Sequence, residues 1–177
     1  MSVRKRLQER LILLKIRHGD AGAYAEVYDE MVDPLFRFIS FRVQTVEIAQ
    51  DLTSEVFLKV WERVNGGDSI DNLRAYFYKV ARNLIADHYR KSQAVLWHDG
   101  EVEDIEDESH ATIERQVTLA EIEVGVKKLR PDWQEVIVLT YIEGLSLKEV
   151  ADIIGKSYNA TRVILHRALN ELKRLLK

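Results

Sequence analysis

Between Asp99 and Glu108 seven of ten residues are acidic, and no lysine or arginine occurs from Ser92 to Glu114. A block of like charge repels itself and offers too little apolar surface to bury, so it is expected to stay extended. It divides the chain. Residues 93–111 read as a linker, leaving 1–92 and 112–177 to form separate bodies. In both, apolar residues recur at helical rather than alternating spacing. Two prolines and eight glycines in 177 residues leave long segments unbroken. The expected fold is all-α: two small helical domains joined by an acidic flexible linker.

The second body carries the clearest local signals. Ser146-Leu-Lys-Glu149 is a capping box, with a hydroxyl N-cap and a glutamate three residues on. The short helix it opens has Leu147, Val150, Ala151 and Ile154 at helical spacing and stops at Gly155, a residue type that ends helices without strain. Ser157 caps a longer helix whose apolar stripe is Ile164, Leu165, Ala168, Leu169, Leu172 and Leu176. Its other side shows Asn159, Arg162, His166, Arg167, Lys173 and Arg174. From Lys156 onward there are six Lys or Arg against one acid, Glu171, in a chain of net charge -3. Two helices joined by a tight glycine turn, the second basic outside, make a helix-turn-helix suited to a phosphate backbone. Before it, a helix restarts at Pro131, buries Trp133, Val136, Ile137, Leu139, Thr140 and Ile142, and ends at Gly144.

In the first body, helices are expected over Val3 to Arg17 and from Asp20, with a restart at Asp33-Pro34 because proline suits a first helical turn. A third runs from about Thr45 to Val64 and a fourth from about Asp71 to Ser92. Between them Asn65-Gly-Gly-Asp-Ser69 is a loop. The fourth interleaves Arg74, Lys79, Arg82, Arg90 and Lys91 with Tyr76, Phe77, Tyr78 and Tyr89. Cations hold phosphates and aromatic faces stack on unpaired bases, a combination suited to a strand that has left the duplex.

Several classes are excluded. Without cysteine there is no disulfide framework and no thiolate metal site, consistent with a reducing interior. Leu11 to Leu14 is too short for a signal-peptide core, and Val136 to Ile142 too short for a membrane span. A cytoplasmic protein without membrane insertion is expected. His18, His88, His98, His110 and His166 lack ligand spacing, so no metal is expected. No phosphate loop or nucleophile–base pair occurs, so neither cofactor nor catalysis is expected.

Ala49-Gln-Asp-Leu-Thr-Ser-Glu-Val-Phe-Leu-Lys-Val-Trp61, followed by Leu73-Arg-Ala-Tyr-Phe-Tyr-Lys-Val-Ala-Arg-Asn-Leu-Ile-Ala-Asp-His-Tyr-Arg90, resembles region two of bacterial sigma factors. Leu129 to Gly155 resembles region four. Both in this order resemble the two-domain extracytoplasmic-function (ECF) subfamily of the sigma-70 superfamily, over about 20–92 and 112–177. The resemblance implies a specificity subunit of RNA polymerase that binds core, recognises promoter DNA and promotes its melting. It implies docking on the clamp helices of core through Asp51, Leu52, Glu55 and Leu58, with a further contact to the flap. It implies minus-ten recognition through Asn65, Ser69, Arg74, Tyr76, Tyr78, Arg82, Asn83 and Arg90, where a base flips out at a cost of a few kcal/mol of stacking. It implies minus-thirty-five recognition through Lys156, Tyr158, Asn159, Arg162, His166 and Arg167. An anti-sigma factor is a further implied partner. The basic helix before Asp20 has no role in this scheme.

Two other readings stay open on the residues alone. One is a stand-alone helix-turn-helix regulator that never meets polymerase. The other is a sigma mimic that titrates an anti-sigma factor. The 49–61 helix and the aromatic–basic 71–91 helix distinguish a sigma factor from a simple repressor, which needs neither.

Overall fold

The computed structural model describes residues 3–67, 69–95 and 119–176, and these contain helices and connecting turns without strands. Of the linker expected over 93–111, the first three residues, 93–95, continue the helix that starts at Leu73; the acidic block, with His98 and His110, lies outside the described residues.

Helices α1 (Val3–Arg17), α2 (Ala21–Ser40), α3 (Val46–Asn65) and α4 (Leu73–Val95) form the first bundle. Asp20 caps α2 by accepting from the Ala23 amide, and Thr45 caps α3 by accepting from Ile48. Each cap satisfies an orphan donor of a first turn. Asn72 plays the same part at α4, accepting from Ala75 N–H at 2.9 Å. The bundle core is aromatic. Phe57 meets Phe77 at 5.1 Å between ring centroids, and Phe38 meets Tyr78 edge-on at 5.3 Å.

The expected restart at Asp33-Pro34 does not occur: α2 runs through Pro34 without interruption. Proline forfeits one helix hydrogen bond. Val27, Met31, Leu35 and Phe38 nevertheless lie on one continuous stripe and are all buried. Breaking the helix would take part of that stripe out of phase with α3 and α4, so tertiary packing outweighs the local penalty.

The second half contains α5 (Leu119–Lys128), α6 (Pro131–Ile137), α7 (Leu147–Ile154) and α8 (Tyr158–Leu175). Proline opens α6 as expected. Beyond Ile137 the backbone widens into a π-helical segment, Val138–Ile142, and the Glu143 amide returns to the Val138 carbonyl at 2.9 Å. The periodicity suggests one uniform helix here. The wider π turn instead shifts the angular phase of the residues after Ile142, and π segments commonly re-aim side chains in this way. The capping box is complete: Ser146 and Glu149 each bond the other's backbone amide. Gly155 ends α7 at φ 69°, in the left-handed region, and the Lys156 amide closes the turn onto Ala151 O at 3.0 Å. Ser157 caps α8 through Ala160.

The buried side chains of both halves belong to one contiguous apolar cluster, and α4 packs against α7. The largest fully buried side chains include Tyr78, Phe38, Phe77 and Leu139. Each is worth roughly 1.5–3 kcal/mol of transfer free energy for a side chain of that class.

Candidate nucleic-acid interface

On α8 the packing separates two faces. Thr161, Ala168 and Leu172 are buried against the rest of the half, with the Thr161 hydroxyl donating to Ser157 O at 3.0 Å. Lys156, Tyr158, Asn159, Arg162, His166 and Arg167 are all exposed. Positions 158, 162 and 166 stand four apart and 159 and 162 three apart, so most of the set lines one side of the helix. The six residues implied by the resemblance are therefore brought together, five on a helix whose start is fixed by Gly155 and Ser157 and Lys156 in the turn before it. An exposed, net-positive helix on a glycine turn has the form that enters a major groove, where Arg and Asn can pair with base edges.

On α3, Asp51, Glu55 and Leu58 are exposed, with Leu58 showing 57% of its surface. Glu55 lies 3.5 Å from Lys59 one turn on. Leu52 does not belong with them. It is 7% exposed and forms part of the core beside Val56 and Phe57. The stripe Ala49, Leu52, Val56, Val60 already claims it, and a residue on that stripe cannot also face a partner.

The minus-ten set is divided. Asn65, Ser69, Asn83 and Arg90 are exposed, with Arg90 paired to Asp87. Tyr76 is half-buried and packs against the core. Tyr78 is fully buried, which corrects the expectation of an aromatic face open to a base. Burial pushes its hydroxyl far above the usual phenol range, so it remains a donor. That donor goes to Glu143 Oε2 at 3.1 Å.

Glu143 is the centre of a network that local reasoning did not find. Its side chain, 1% exposed, accepts from Arg37 Nε at 2.9 Å as well as from Tyr78. Its backbone carbonyl accepts from Arg74 at 2.6 Å. Glu135, with a side chain 5% exposed, lies 3.1 Å from Arg82 Nε and 3.7 Å from Arg42. Lys79 reaches Asp152 of α7 at 3.0 Å, and Asn72 reaches Glu149 at 3.4 Å. The one available signal was two carboxylates, Glu135 and Glu143, in or beside an otherwise apolar helix. Buried charges need partners, but the sequence does not say that these stand on α2 and α4.

Comparison with known proteins agrees with this arrangement of helices. A Sigma-70 region 2 profile matches residues 27–95, and a Sigma-70 region 4 profile matches residues 126–174. The RNA polymerase sigma factor SigZ of Bacillus subtilis is 30% identical over 154 residues, covering 86% of this chain and 86% of SigZ. The ECF RNA polymerase sigma factor BldN of Streptomyces coelicolor is 34% identical over 167 residues, or 89% of this chain; the matched part is 62% of BldN's length. The ECF RNA polymerase sigma factor SigW of Bacillus subtilis is 25% identical over 192 residues, covering 98% of SigW. Among solved structures, CnrH in complex with the cytosolic domain of CnrY superposes with a TM-score of 0.71 at 22% identity, over 94% of this chain and 96% of that one. The similarity of these solved chains is one of fold. Two profile matches in the order region two, region four, together with relatives such as SigZ and SigW matched over most of their length, lead to one conclusion: the chain belongs to the ECF group of the sigma-70 family, whose members are non-catalytic specificity subunits of RNA polymerase.

Proposed function

We propose that this chain docks on core RNA polymerase through the exposed face of α3, reads the minus-thirty-five element with α8, and opens the minus-ten element with the 65–70 loop and α4. The observation that carries this reading is the split of α8 into a buried stripe and an exposed face bearing Tyr158, Asn159, Arg162, His166 and Arg167, with Lys156 exposed in the turn before it. On α3, Asp51, Glu55 and Leu58 form the core-docking set, and Leu52 supports them from behind. On the minus-ten side, Asn65 and Ser69 flank the loop and Asn83 and Arg90 stand exposed on α4, while Arg74, Tyr76 and Arg82 line α4 as well. Residues 1–92 and 112–177 act as the two working bodies, with 93–111 between them. No helix among the described residues is long and apolar enough to cross a membrane. The chain works in the cytoplasm beside polymerase, with the flap of core as its second docking point. An anti-sigma factor restrains it, as the pairing of RpoE with NepR from Bartonella quintana illustrates for another sigma factor.

Run-off transcription with purified core on a promoter library tests this reading. Specific transcripts that depend on the chain are the expected result. Tight duplex binding without transcription would instead mark a stand-alone regulator.

A further inference from the structure

The outer face of α8 holds two exposed residues outside the set implied by the resemblance, Val163 and Asn170. Val163 shows 47% of its surface. At about 100° per residue, Asn159, Val163, His166 and Asn170 fall within roughly 60° of one another. That strip stands opposite the buried Thr161, Ala168 and Leu172. A helix lying in the major groove turns such a strip toward the base edges. We infer that Val163 and His166 together read one thymine of the minus-thirty-five element, Val163 against its C5 methyl group and His166 through Nε2–H to its O4. Asn170 is the positioning residue. The thymine contact rests on α8 being the minus-thirty-five helix, as proposed above, and adds the identity of a base to it.

The hydrogen bond comes from the state of the His166 ring. The Asn170 amide nitrogen lies 3.4 Å from His166 Nδ1, one turn away. An amide nitrogen only donates, so Nδ1 accepts and the neutral ring carries its proton on Nε2. The ring therefore offers a donor on the edge away from Asn170. Thymine O4, guanine O6 and N7, and adenine N7 accept from such a donor. The cytosine N4 amine is itself a donor and is refused.

Val163 decides among the acceptors. Only thymine carries a methyl group on its major-groove edge, and that group lies beside O4. Helix residues three apart have Cβ atoms roughly 5–6 Å from each other, so Val163 and His166 can meet neighbouring atoms of one base. The valine has no structural task that competes with this. Ile164 and Leu165 beside it pack on the apolar cluster, and Val163 belongs neither to that cluster nor to the residues packed on it. A β-branched side chain on a solvated helix face also costs some helix propensity. Arg162 and Arg167 flank the strip on its two sides and are exposed. They are left for guanine edges or phosphates.

The test uses the chain bound to core polymerase and duplex promoters randomised across the minus-thirty-five element. Sequencing the bound fraction gives the base preference at each position. The parent should favour thymine at one position. Val163→Ala and His166→Ala should each lose that preference and keep the others. Asn170→Ala frees the ring to carry its proton on Nδ1 and should admit cytosine there. On the selected duplex, uracil in place of that one thymine removes the methyl group alone. It should weaken binding by the parent about 4-fold, the weight of one buried methyl group, and leave binding by Val163→Ala unchanged. Equal binding of the thymine and uracil duplexes by the parent overturns the thymine assignment. A Val163→Ala or His166→Ala profile identical to the parent's does the same. An unchanged profile for Asn170→Ala overturns its positioning role. Enrichment of no minus-thirty-five sequence by the parent is a different failure: it fells the α8 reading itself, and the thymine contact with it.

Discussion

The Tyr78 hydroxyl donates to Glu143 Oε2 at 3.1 Å, joining residues 65 positions apart and the two halves of the chain. Tyr78 is fully buried in α4, and the Glu143 side chain is 1% exposed at the end of the π segment. Removing the hydroxyl leaves a carboxylate that keeps Arg37 but loses one donor. A hydrogen bond to a charged group contributes about 1.5–3 kcal/mol. Tyr78→Phe should therefore lower unfolding stability by roughly that amount in a urea titration, with little change in the isolated helical signal.

Leu52 and Leu58 stand on the same helix with opposite surroundings, 7% and 57% exposed. Leu52→Ala should cost about 2–5 kcal/mol of stability, the range for deleting a buried leucine side chain. Leu58→Ala should leave the thermal midpoint nearly unchanged and weaken retention on core polymerase. A pair of thermal melts and a core pull-down separate the two effects.

The capping box is sensitive to acid. Burial pushes the Glu149 carboxyl up, but hydrogen bonds from the Ser146 hydroxyl and amide and from Asn72, with the nearby Arg74 charge, outweigh it and hold it below the usual carboxylate range. A depressed folded-state value means that the unfolded chain binds the proton more readily. The stabilisation is present above about pH 4.3, the ordinary glutamate value, and is lost as pH falls through the lower folded value. Glu149→Gln should thus be less stable than the parent near neutral pH. The difference in thermal midpoint should shrink toward zero as pH falls below about 4, when followed by circular dichroism.

Arg162 is exposed on the outer face of α8, one turn from Tyr158 and His166. If it reads a base, Arg162→Ala should cost about 1–3 kcal/mol of minus-thirty-five recognition and relax preference at one position. Transcription from a set of single-base promoter variants measures this directly. An unchanged preference removes Arg162 from the base-reading set.

Much of the helix-turn-helix is legible in the sequence because its rules are local. A capping box, a left-handed glycine and a serine cap act within four residues, and all three stand where the spacing puts them. The outer face of α8 comes from the same periodicity. Pro34 misleads for the converse reason: its penalty is local, while the stripe from Val27 to Phe38 that overrides it takes its value from α3 and α4. Tyr78 misleads likewise. An aromatic flanked by cations has the same local pattern whether it meets a base or a buried glutamate.

By itself, then, the sequence determined helical content, caps, the glycine turn and the basic face of the last helix, because short-range sterics and periodicity decide these. Only the tertiary structure decided that Glu135 and Glu143 meet Arg82, Arg37 and Tyr78. Charge pairing across so many residues depends on which surfaces the apolar cores bring together, and no local pattern encodes that.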